Sequence, residues 1–260
     1  MKIAFAGKGG VGKTTLAALA ADYLARQGQD VWMVDADTAL SLGQASGLSR
    51  EELPVPLVQR EDLVRERIGS GLLNLTPDVD DLPARLAVDV PLGGPTAKGK
   101  APGAKRLLVM GSVSTAGGGC ACEANALLKA VLAHLVLDAA SHVIVDMEAG
   151  VEHLGRGTAS HVDGLAVVSE PSRRSLETAA EIARLAADLG IQRQVLVLNR
   201  ADSATVLPEM TGLPEAWVTV PVLPGLIKRQ LTEGSVLALP EWQAVDSHIA
   251  ALFDSLDTDS

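Results

Sequence analysis

The chain has 260 residues, 47% of them hydrophobic, enough to bury a large core, and a single domain spanning residues 1–260 is expected. Its 22 basic residues stand against 32 acidic ones, a formal charge of −10, which argues against a nucleic-acid footprint or a polybasic membrane surface. No apolar run reaches about 18 residues, the first strand begins at Lys2 without room for a cleavable leader, and aromatic residues make up only 2%, so the cytosol is the expected compartment and base-stacking platforms have no support.

In chain order, residues 2–6 (KIAFA) read as a buried strand, and residues 16–27 (LAALAADYLARQ) carry helical spacing that stops before Gly28. Between them, AGKGGVGKTT over residues 6–15 meets the frame G-x-x-x-x-G-K-[ST] through Gly7, Gly12, Lys13 and Thr14. Glycines here let main-chain amides turn inward onto phosphate oxygens, and Gly9, Gly10, Val11 and Thr15 complete the cradle. Lys13 then reaches the β and γ phosphates, the Thr14 hydroxyl goes to Mg²⁺, and the helix starting there aims its positive end at the anion. The expected ligand is a nucleoside triphosphate.

Further strands are expected over residues 31–35, 106–111, 142–146, 165–170, 194–199 and 217–222, with helices over 123–138, 172–189, 226–233 and 241–255, the third stopped by Gly234. This alternation predicts an α/β fold, a mostly parallel central sheet flanked by helices. Residues 91–105 (PLGGPTAKGKAPGAK) have no periodicity and are expected to be a flexible surface excursion.

In an open parallel sheet, ligands gather beyond the carboxyl ends of the strands, where carboxylates hold metal or orient water. Asp35 and Asp37 leave one such strand and Asp146 another. A lone aspartate there is commonly a turn-former or a cap; three beside a phosphate loop favour chemistry. Asp146 is assigned to the Mg²⁺ shell, Asp35 close to the metal, and Asp37 to positioning the attacking water.

At this point the chain resembles a known family. Lys8 in GKGGVGKTT marks the deviant Walker A ATPases related to MinD and the nitrogenase iron protein. The segment DMEAGVEHLGRGT over residues 146–158 looks like the switch of one branch, the CooC type, which inserts nickel into carbon monoxide dehydrogenase. The likeness extends over residues 35–43, 75–83, 117–132, 170–179 and 198–200, nearly the whole chain. It implies a Mg²⁺-dependent hydrolase of ATP in which two protomers sandwich two ATP molecules. Lys8 would reach the partner's nucleotide and act like an arginine finger, so that hydrolysis requires dimerisation. Asn199 matches the adenine-reading position, with Arg200 beside it, since an amide can donate and accept at once. Glu148, Gly150 and His153 fall in the switch, where His153 is expected to relay nucleotide state rather than bind metal.

Cys120 and Cys122 are the only cysteines. In an extended segment residues two apart face one side, so both thiolates can converge on one soft ion; on their own they equally suit two small buried hydrophobes or a strained redox pair. Two thiolates are too few for a closed site, and a twofold axis would supply two more. With the resemblance, they are expected to bind Ni²⁺ or Zn²⁺ at a dimer interface. The client would be apo carbon monoxide dehydrogenase or acetyl-CoA synthase. The resemblance leaves two other classes: a spatial-regulation ATPase of the MinD or ParA kind, against which the acidic tail over residues 248–260 counts, and an iron–sulfur carrier ATPase. Residues 38–42 (TALSL) also depart from the proline and asparagine common there in relatives.

Overall fold

The computed structural model describes residues 1–69, 74, 76–111, 121–137, 142–147 and 162–257. Runs of valine, isoleucine and leucine form the strands β1 (Lys2–Gly7), β2 (Val31–Ala36), β4 (Lys105–Val109), β5 (His142–Met147), β6 (Gly164–Ser169), β7 (Gln194–Asn199) and β8 (Ala216–Val220), joined by a two-residue β3 (Val88–Asp89). The eight-stranded sheet has the order β3-β4-β2-β5-β1-β6-β7-β8. Every pairing is parallel except that of β3 with β4. β1 is therefore central, and the chain leaves its carboxyl end between β5 and β6.

Alternation along the strands divides the core into two layers. Ile3 and Phe5 of β1 face α1 (Lys13–Arg26), α2 (Leu42–Ala45) and α8 (Trp242–Asp257). Ala4 and Ala6 face the opposite layer, which holds α3 (Glu61–Ile68), α4 (Leu82–Leu86), α5 (Ala121–Leu137) and α6 (Arg173–Asp188). Helix α6 has its N-terminus capped by Ser172, whose hydroxyl accepts the Ser175 N–H at 3.3 Å. A short α7 (Pro224–Arg229) completes the chain of elements.

Several boundaries differ from expectation. α7 begins at Pro224, which suits a first helical position because its missing N–H is no loss there, and it ends five residues before Gly234. The helices α2, α3 and α4 and the strand β3 are too short for a periodic signal. The turn over 57–59, a single 3₁₀ turn, is equally silent in the sequence. Ala121 and Cys122 open α5, so the backbone at Cys122 is helical rather than extended.

Residues 91–105 have almost no regular structure, but they are fastened along the C-terminal end of α1. Ala97 N–H donates to the Arg26 carbonyl at 2.9 Å, Gly103 N–H to the Ala25 carbonyl at 2.9 Å, and Gly93 N–H to Asp22 Oδ1 at 2.8 Å. Behind this strap lies a buried ion cluster. Asp22 accepts from Lys105 Nζ at 2.7 Å and from Arg26 Nε at 2.8 Å, and Arg26 also forks onto Asp246 of α8. Burial pushes the Lys105 ammonium down and Asp22 opposes it. The four charges balance, which is the condition under which they can leave water.

Candidate functional site

The phosphate loop spans the turn from β1 into α1. Gly12, the N-cap of α1, sits at φ +99°, and a Cβ there would stand 2.4 Å from Asn199 Nδ2. Only glycine satisfies both conditions. No side chain caps α1, in contrast to α6, so the first amides of α1 are left for an anion. At Gly7, a Cβ would lie 2.2 Å from the Val168 carbonyl oxygen, so the loop starts pressed against β6.

Asp35 and Asp146 are paired across β2 and β5 and are both fully buried. Asp35 is already occupied: Oδ1 accepts the Asp37 N–H at 3.3 Å and Oδ2 the Leu42 N–H at 3.0 Å. Burial first, and the Asp146 charge second, push its carboxyl up to about 7. Asp146 differs, because neither oxygen has a hydrogen-bond partner among the described residues. Burial pushes it up to about 6 against the nearby Thr14 hydroxyl and Lys13 ammonium, which favour its charged form without reaching good hydrogen-bond geometry. A desolvated carboxylate with both oxygens unused beside a phosphate loop is electrostatically suited to a cation.

Lys13 is buried with its ammonium 3.9 Å from Asp37 Oδ2, and Asp37 Oδ1 accepts the Ala39 N–H at 2.9 Å. Lys8, at the edge of the loop, is half-buried and forms no ion pair with a described residue. Asn199 closes the other side: Nδ2 donates to the Val11 carbonyl at 2.7 Å, and Oδ1 accepts the Arg200 N–H at 3.0 Å. Arg200 holds φ +59°, unusual for a residue with a side chain, and its guanidinium pairs with Glu170. Thus Lys8, Lys13, Thr14, Asp35, Asp37, Asp146, Asn199 and Arg200 lie around the loop at the carboxyl end of the sheet. Cys120, Glu148, Gly150, His153 and the side chain of Cys122 lie outside the described residues.

Two features escaped the sequence. Ser41 hydroxyl donates to Thr14 Oγ1 at 3.5 Å, bringing the segment after Asp37 onto the loop, with Leu40 at φ +48°. A cleft of 280 Å³ opens beside Gly12, walled by Asn199, Pro221, Val222, Leu226, Ile227 and Gln230 among others. The V-P-V run at 220–222, a proline ending an edge strand, was the only signal for it.

Comparison with known proteins decides the family. The description "CobQ/CobB/MinD/ParA nucleotide binding domain" matches residues 2–230. The chain belongs to this family. As a member of the CobQ/CobB/MinD/ParA group it is a nucleotide-binding ATPase. It is 40% identical over 210 residues to the carbon monoxide dehydrogenase accessory protein CooC of Rhodospirillum rubrum, covering 78% of this chain and 75% of that one. It is 39% identical over 206 residues to an uncharacterised ATP-binding protein of Methanocaldococcus jannaschii, covering 77% and 75% respectively. Among solved structures, a ParA family ATPase from Chlorobium tepidum superposes with TM-score 0.66 at 21% identity, covering 96% of this chain and 97% of that one. MinD from Pyrococcus horikoshii, complexed with Mg-ADP, gives 0.65 at 16% identity, covering 99% and 96%. These two share the fold of the family. No helix among the described residues is long and apolar enough to cross a membrane.

Proposed function

We propose that this ATPase is an accessory factor in nickel-enzyme maturation. It works as a homodimer that encloses two ATP molecules and carries one metal ion between the Cys120 and Cys122 thiolates of both copies. The observation that carries the reading is the 40% identity, over 78% of the chain, to a protein named for carbon monoxide dehydrogenase. The nickel is cargo, handed to apo carbon monoxide dehydrogenase or acetyl-CoA synthase. The whole chain, 1–260, acts as one domain, without nucleic acid or membrane.

In this reading the amides of Gly9, Gly10, Val11, Gly12, Thr14 and Thr15, together with Lys13, bind the phosphates. Thr14 and Asp146 are the groups that would hold Mg²⁺, and the unpartnered Asp146 oxygens fit that role. One or two protein ligands beside phosphate and water suffice for this ion. When bound, Mg²⁺ neutralises charge on the β and γ phosphate oxygens. Asp35, whose oxygens are taken by main-chain amides, holds the turn that carries Asp37. Asp37 orients the attacking water, and Lys8 stabilises charge on the partner's transferred phosphoryl group. Asn199 and Arg200 read the base, and Asn199 can do so with its second Nδ2 hydrogen and the free lone pair of Oδ1 while keeping the Val11 carbonyl. Glu148, Gly150 and His153 relay the state of the nucleotide to the cysteines.

The test is nickel and zinc content per protomer in ATP and in ADP, for wild type and Cys120→Ser. About one ion per two chains, lost in the variant, supports the shared site. A nucleotide-loaded monomer holding a full equivalent of nickel overturns it.

A further inference from the structure

Helix α7 forms the outer wall of the cleft beside the phosphate loop, yet none of its residues is buried. Ile227 on it is 55% exposed, Val222 just before it 52%, and Leu231 beyond it 82%. This helix of 6 residues has only a slight apolar hold, through the partly buried Leu226 beside the buried Leu223, so polar ties have a large share in deciding where the wall stands. Two are present. Gly225 N–H donates to Glu241 Oε1 at 2.7 Å, and Arg229 Nε donates to the Ser235 carbonyl at 3.1 Å.

The first tie ends on a rigid support. The Glu241 carbonyl accepts the Val245 N–H at 3.1 Å, which places Glu241 at the start of α8, and α8 buries Val245, Ile249, Leu252, Phe253 and Leu256. One carboxylate therefore sits at the N-termini of two helices, whose partial positive charges favour it. A Cβ on Gly225 would stand 2.2 Å from Glu241 Oε2, so only glycine admits the carboxylate this closely.

We infer that Glu241 is a positioning residue for the nucleotide base. It holds α7 so that Leu226, Ile227 and Gln230 wall the cleft opposite Asn199, and it touches no nucleotide itself. The inference rests on the ATP-binding reading above and adds the element that sets base affinity separately from phosphate affinity.

Glu241→Ala is expected to raise KM for ATP by about tenfold, with kcat changed by less than about twofold, because only the ordering of the base wall is lost. Inhibition by inorganic tripolyphosphate, which has no base and engages only the loop, should stay within about twofold. Glu241→Gln keeps an acceptor for Gly225 N–H and should restore KM to within about threefold of wild type. Gly225→Ala displaces the carboxylate while keeping its charge, and should reproduce the rise in KM even where Glu241→Ala fails to fold. An unchanged KM in these variants overturns the inference, and so does an equal loss of tripolyphosphate binding. Absence of ATP turnover in the wild-type chain, at the level of Lys13→Ala, would instead bring down the ATP-binding reading itself.

Discussion

Asp146 carries the sharpest residue-level consequence of the fold. Its carboxyl rises from the ordinary 3.8 to about 6 chiefly through burial, so the folded chain binds a proton that the unfolded chain releases. The sign follows from linkage: stability conferred by the protonated form is present at low pH and is lost as pH climbs through the folded value. In metal-free solution, Asp146→Asn should therefore stabilise the chain by about 1–3 kcal/mol at pH 8 and hardly at all near pH 4. Urea melts at the two pH values measure this, and a gain independent of pH would contradict it. The same variant should lose Mg²⁺-dependent ATP turnover by at least about a hundredfold. Stability and activity then move in opposite directions, as expected where a charge is kept desolvated for function. Asp35, pushed up to about 7, adds to the same pH window. The sequence made both aspartates visible as strand ends beside a phosphate loop. That Asp35 spends its oxygens on the Asp37 and Leu42 amides, while Asp146 spends neither on a described residue, depended on how residues 37–42 fold back.

Among elements, α1 has the most to do, since it offers its uncapped N-terminus to the ligand and is clamped at its far end by the Asp22 cluster. Asp22 accepts from Arg26, Lys105 and the Gly93 amide at once. Asp22→Ala leaves two buried cations and one amide short of an acceptor, and should cost about 3–5 kcal/mol. Chemical denaturation checks the magnitude, and a loss under about 1 kcal/mol would mean that the cluster is not a structural clamp. The long strands were legible because β1, β5, β6 and β7 are covered on both faces and so read as unbroken apolar runs. The strap over 91–105 was not. Its glycines and prolines signal a loop, but whether a loop ranges free or is stitched to a helix depends on partners dozens of residues away, such as Asp22 and Arg26. The helical backbone at Cys122 shows the same limit at the start of α5.

For the whole molecule, the proposed dimer makes two demands. Lys8 should matter for turnover far more than for binding, because its role is exercised on the partner's nucleotide. Lys8→Ala is expected to lower ATP turnover by about a thousandfold or more while ATP affinity changes only a few-fold. Steady-state kinetics alongside equilibrium nucleotide binding separates the two, and equal losses in both would remove the trans role. Coupling between nucleotide and cargo must also be reciprocal: if ATP tightens the hold on nickel, nickel tightens the hold on ATP by the same factor. Calorimetric titration of ATP with and without nickel measures that factor.

Local chemistry determined the ligand class, the α/β alternation and the carboxylates at strand ends, because glycine spacing, lysine placement and apolar periodicity act within a few residues of chain. Tertiary structure decided which carboxylate is left without partners among the described residues, how Ser41 meets Thr14, how the cleft beside Gly12 is walled by residues after β8, and how the strap is held. Each of these depends on burial or on a partner far along the chain, and desolvation is a property of the packed molecule that no short stretch of sequence contains.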